Sequence, residues 1–199
     1  MYSFLNRLNA LATFGVFGLL ILTTLASLSD YMHEPKPQVT LTLRGVDRLS
    51  RLGAERGSGG SGADEAQLSM ALQADMRSVF SWNTKQIFMF VQAEYATEDN
   101  RRNQVSVWDR IIEHKEDAVL NLPHVRNKYR FIDADADLRG RPFNLTLTWN
   151  VMNKVGGTYF DSHTVPDLVL PTEYDTAPPP RNSPGRGRRG VRGGNGALR

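Results

Sequence analysis

The sequence predicts an all-β fold, an antiparallel β-sandwich, carried behind a single N-terminal transmembrane α-helix. Three observations lead there. Residues 8–28 form an uncharged apolar run; from residue 39 onward the hydrophobic residues recur at every second position; and clusters of Gly, Pro and polar residues cut that later part into short segments. With 199 residues there is room for one folded domain of roughly 100–150 residues beside the anchor. The chain contains no cysteine, so its fold rests on packing, and disulfides, Cys-based zinc sites and thiol nucleophiles are excluded.

The run 8–28 comes first. As a helix it would be roughly 31 Å long, close to the ~30 Å hydrocarbon core of a bilayer. A cleavable signal usually has an apolar stretch of only about 7–15 residues, although Thr24, Ala26, Ser27 and Ser29 are small enough for a cleavage site. Arg7 is the one side-chain cation before the run, whereas Asp30, Glu34 and Lys36 nearly cancel after it. The positive-inside bias therefore predicts a short cytosolic N-terminus over 1–7, a signal anchor over 8–28, and everything from 29 onward on the far side of the membrane.

Pro35 and Pro37 stop the helix, and Val39, Leu41 and Leu43 alternate with Thr40, Thr42 and Arg44 as a half-buried strand. Residues 53–62 (GAERGSGGSG) have the composition of a flexible insertion. Alternation resumes with Leu68, Met70, Leu72, Ala74 and Met76, predicting a second strand. Residues 87–91 (IFMFV) are apolar throughout, which predicts a central strand covered on both faces. Val105, Val107, Asp109 and Ile111 predict another strand, and 129–132 a short one. The clearest alternation sets Phe143, Leu145, Leu147, Trp149 and Val151 against Asn144, Thr146, Thr148 and Asn150. A last strand over 163–170 is confined to an edge by Pro166 and Pro171. The folded domain thus occupies 29–175. Residues 176–199 hold six arginines and no acid, predict a disordered Arg/Gly/Pro-rich tail, and leave 18 basic against 21 acidic residues in 1–175. The basic balance belongs to that tail.

Few residues carry chemistry. Asn144-Leu145-Thr146 is an N-glycosylation acceptor on the polar face of its strand. Asp133, Asp135 and Asp137 begin like a calcium loop, but Leu138 and Asn144 occupy the positions that need Gly and Glu, so a solvated turn is the better reading. Asp161-Ser162-His163 holds the residue types of a catalytic triad, yet neighbours on a strand point to opposite faces. His33, His114, His124 and His163 share no ligand-like spacing. No catalytic residue, metal site or cofactor is expected. Trp82, Trp108 and Trp149 are expected in the core. The tail resembles RNA-binding segments in composition, but a domain on the far side of the membrane would meet no nucleic acid there.

Five blocks carry a family resemblance: Ser81-Trp82-Asn83-Thr84-Lys85-Gln86-Ile87-Phe88; Ala93-Glu94-Tyr95-Ala96; Asn103-Gln104-Val105 with Val107-Trp108-Asp109; Lys128-Tyr129-Arg130-Phe131; and Leu145-Thr146-Leu147-Thr148-Trp149-Asn150. In order and spacing they resemble the signal peptidase complex subunit 3 family, the small glycosylated accessory subunits of the endoplasmic reticulum signal peptidase. The resemblance implies a type II single-pass membrane protein with a lumenal sandwich, and a non-catalytic role supporting a serine protease on another chain. Its implied partners are that catalytic subunit, the other subunits, the endoplasmic reticulum membrane, the translocon and nascent secretory chains. The insertion at 53–62 and the tail at 176–199 are additions to which no family role transfers. The rival expectation from the residues alone is a type II lumenal module that binds glycans or unfolded chains.

Overall fold

In the computed structural model, residues 3–52, 62–134 and 138–175 are described. The expected insertion at 53–62 lies outside them except for Gly62, as do Asp135, Asp137, the tail at 176–199 and the first two residues.

Helix α1 (Phe4–Asp30) is longer than the apolar run and, at 1.5 Å per residue, about 40 Å in length. Ser3 caps it, and the hydroxyls of Thr13, Thr23, Thr24 and Ser29 all donate to carbonyls one turn back. The polar atoms of these side chains are thereby satisfied within the helix, as a bilayer requires. Apolar side chains stay exposed around its whole circumference, so the helix is long and apolar enough to cross a membrane.

Among the described residues, eight antiparallel strands follow in two sheets. The first sheet contains β1 (Gln38–Arg51), β2 (Asp64–Asp75) and β5 (Val119–Arg126) in that order, with the short β6 (Phe131–Asp133) also paired to β2. The second runs β4 (Asn103–Ile112), β3 (Thr84–Tyr95), β7 (Pro142–Asn153), β8 (Tyr159–Val169). One core lies between the sheets, built from the inward sides of β2, β3 and β7: Leu68, Met70 and Leu72 face Ile87, Met89 and Val91, with Leu145, Leu147 and Trp149. The all-β sandwich behind one helix is therefore the observed architecture.

Several local expectations change. Strand β1 runs past Leu43 to Arg51 because it pairs with β2 along its whole length, absorbing irregularities at Leu43/Gly45 and Val46/Arg48 that blur its alternation. On β4 the register passes from Gln92↔Ser106 to Val91↔Trp108, so one extra residue bulges. The bulge reverses the facing: Val107, Trp108 and Ile112 are buried, whereas Asp109 and Ile111 turn outward. Strand β5 escaped the sequence reading. Pro123 spoils its pattern but is tolerated because β5 is an edge strand. Strand β3 is central, as expected, but only one of its faces is covered; Phe88 and Phe90 lie half-buried on the other, ring centroids 5.3 Å apart.

Asp133, expected in a solvated turn, is buried on β6 opposite Asp64. The reason is tertiary: β6 is drawn onto β2, and Phe131 fills the core between Tyr95 and Phe143. Asp64 is itself fully buried and accepts from Leu138 N and the Tyr174 hydroxyl, fastening the last segment of the domain. Asp175 completes the closure, exchanging hydrogen bonds with the backbone of Leu49.

Candidate functional site

Side-chain hydrogen bonds tie the junction where the helix meets the sheets. Asp30, the last helical residue, accepts from the Ser81 hydroxyl at 2.8 Å and from Asn153 Nδ2 at 2.6 Å. Three residues on, His33 Nε2 donates to the Ser78 carbonyl at 2.7 Å, and Lys36 N to the Ser78 hydroxyl. Helix end, the segment before β3 and the end of β7 are thus joined by side chains distant in sequence.

Asn83 holds this collar together. Fully buried, it donates through Nδ2 to Val155 O at 2.8 Å and accepts Val155 N on Oδ1 at 3.0 Å, while its own carbonyl takes Lys154 N at 2.7 Å. One amide side chain substitutes for both halves of a backbone pair and fixes the β7–β8 turn. That turn carries Gly156 at φ +93°, where a Cβ would stand 2.5 Å from Ser27 Oγ, so only glycine lets the helix approach. Between helix end and turn lies a cleft of about 350 Å³, lined in part by Asp30, Tyr31, His33 and Tyr159. Burial, and then the carboxylates of Asp30 and Asp161, push the Tyr159 hydroxyl above its ordinary pKa and keep it protonated.

A second set of ties links the two sheets. Lys128 Nζ and the Tyr129 hydroxyl both donate to Asp109 Oδ1, at 2.6 and 2.8 Å, and hold its carboxyl below the usual range, Lys128 contributing most. Next to them Arg130 makes a two-pronged contact with Glu65 of β2 at 2.6 and 2.9 Å. The blocks at 107–109 and 128–131, separate in sequence, meet here as one clip. The block at 81–83 is the collar.

The residues with catalytic appearance do not converge. On β8, Ser162 lies opposite Thr148 on the outer face, whereas Asp161 and His163 lie opposite Trp149 and Leu147. His33 and His124 are engaged with Ser78 and Ser69, and among the described residues no group of His, Asp and Glu is placed to hold a metal. Of the three tryptophans, Trp108 and Trp149 are buried as expected; Trp82 is not, being 62% exposed beside the collar. It sits in the bend before β3, ahead of the strand alternation that would have turned it inward.

Asn144 lies near the start of β7, at the end of the sandwich away from the helix, nine residues or about 30 Å of strand from Asn153. Its Oδ1 accepts Asp167 N at 3.2 Å where β8 bulges, with Asp167 at φ 59°, and its Nδ2 makes no hydrogen bond among the described residues. Thr146 of the same triplet is 6% exposed, its hydroxyl 3.1 Å from that of Thr164.

Comparison with known proteins gives this scaffold a family. A family model described as signal peptidase subunit matches residues 1–173. The chicken protein named signal peptidase complex subunit 3 is 34% identical over 158 residues, 78% of this chain and 86% of that protein. The human protein of the same name is 32% identical over the same span, and the one from Caenorhabditis elegans 31% over 180 residues, 88% of this chain and 98% of the nematode protein. A match over nearly the whole anchored sandwich, collar and clip included, shows that the chain belongs to the signal peptidase subunit family.

Proposed function

We propose that the chain orients the signal peptidase at the membrane surface, with its sandwich in the lumen and its N-terminus in the cytosol. As a member of its family it is an accessory subunit of the signal peptidase complex in the endoplasmic reticulum membrane, not the protease. A lumenal module for glycans or unfolded chains is not favoured. The observation that carries the positional role is the collar: with Asp30 tied to Ser81 and Asn153, the sandwich is fixed relative to the membrane helix. A protease held against such a body meets its scissile bond at a set height and angle, and positioning of that kind lowers the entropic barrier to reaction. The domain limits of 29–175, the charge bias around the anchor, and contact with translocon and nascent chains belong to this reading. Co-purification from detergent-solubilised membranes tests it. The chain is expected to come with the catalytic subunit; its recovery free of protease, where the remaining subunits stay together, would overturn the assignment.

The orientation carries a second expectation. Asn144 is proposed as the glycosylated residue. Because Thr146 is buried against Thr164, transfer must precede the pairing of β7 with β8. Chain made in the presence of endoplasmic reticulum membranes is expected to lose one glycan to an endoglycosidase, and Asn144→Gln to abolish that shift. Folded chain offered afterwards to the transferase is expected to stay unmodified. An endoglycosidase shift that persists in the variant would refute the site.

A further inference from the structure

We propose that Trp82 is a second membrane contact, its indole lying at the headgroup level of the bilayer that α1 crosses, with the Lys154 ammonium beside it near the lipid phosphates. The depth follows from connected distances. The uncharged run ends at Leu28, and Asp30 is two helical residues, about 3 Å, further out. The headgroup zone is ~5–7 Å thick on each side, so Asp30 lies within it. Ser81 hydrogen-bonds Asp30 at 2.8 Å, and Trp82 is the next residue. Because Ser81 and Asn153 are tied to Asp30, Trp82 travels with the helix end.

The side chain suits the place. Trp82 is exposed although the other two tryptophans are buried, and indole, apolar with one N–H donor, is most at home between hydrocarbon and water. It is also held in position: Asn83 is locked to Val155, and Lys154 Nζ donates to the Trp82 carbonyl at 3.2 Å, which keeps a cation at the same edge. Tyr31 and Met32, both 86% exposed, leave the helix at this level. With a lipid contact on the sheet side, the domain rests on two points rather than one, which resists rocking about the helix end. The proposal rests on α1 spanning the bilayer and is otherwise independent of the role assigned to the complex.

The test uses the full chain reconstituted in phosphatidylcholine vesicles, with and without phosphatidylcholine spin-labelled at the headgroup or high on the acyl chain. Tryptophan emission is compared between the natural chain and Trp82→Phe, so that their difference reports Trp82 alone. The expected result is a roughly two-fold loss of the Trp82 emission with the shallow spin labels, little with a label at the chain terminus, and shielding from aqueous acrylamide. Spin-label quenching equal in the two chains, or Trp82 emission open to acrylamide, would overturn the proposal while the chain still floats with the vesicles. Failure to float would overturn the spanning helix and the proposal together. Acrylamide shielding that appears only in the intact complex would identify a protein neighbour, and would also overturn it.

Discussion

Replacing Asn83 by alanine is expected to destabilise the sandwich by about 2–4 kcal/mol, read from urea unfolding of the full chain in detergent. The magnitude comes from what is left behind. The buried side chain satisfies Val155 N–H and Val155 C=O, and its loss leaves both groups without these partners, at roughly 1–3 kcal/mol for each buried unsatisfied group. Water admitted through the turn offsets part of that, hence the lower end of the range. Aspartate at 83 serves as the control. It can still accept Val155 N–H but sets a carboxylate against the Val155 carbonyl, so it is expected to be nearly as harmful. A loss below about 0.5 kcal/mol for both variants would mean that the turn closes without this residue. The same change is expected to loosen Lys154 and the Gly156 contact with Ser27, coupling domain stability to the angle of the helix.

Phe131→Ala is expected to cost about 3–5 kcal/mol, and Phe131→Leu roughly 1–2 kcal/mol. The ring is fully buried, with ring centroids 5.5 Å from Tyr95 and 6.3 Å from Phe143. It occupies a strand of three residues that, among the described residues, pairs its backbone with β2 alone, so the side chain contributes much of what keeps β6 in place. Removing it opens a cavity between the sheets and frees the neighbouring contacts of Arg130 with Glu65 and of Asp133 with the Asp64 strand position. Urea unfolding decides the matter again: an alanine variant within 1 kcal/mol of the natural chain would show that β6 is held by its ion pair instead.

The two positions differ in what the sequence reveals about them. Phe131 follows Lys128-Tyr129-Arg130 in a block whose family resemblance is plain, yet its alternating pattern covers too few residues to show how deeply it packs. The strongest periodicities, Leu68 to Met76 and Phe143 to Val151, gave correct facing because each lies on a central strand with one side against the other sheet. Edge strands were harder to read: β5 was hidden by Pro123, and the facing of β4 was reversed by a bulge that leaves no signature in residue type. Trp82 was placed in the core with the other aromatics at strand periodicity, but it precedes Thr84, where β3 and its alternation begin, and it is exposed.

The sequence by itself determined the class of the protein: an apolar segment of bilayer length, a two-residue hydrophobic period after it, no cysteine, and five blocks pointing to one family. Those features are local, set by composition and by neighbours along the chain. Only the tertiary structure decided how helix and sandwich are joined. Asp30, Ser81, Asn83, Asn153 and Gly156 are spread over more than 120 positions, and none of them belongs to a recognisable motif for joining a helix to a sheet. Hydrogen bonds between distant residues depend on how β3, β7 and β8 align in register, and that alignment exists only once the core has closed.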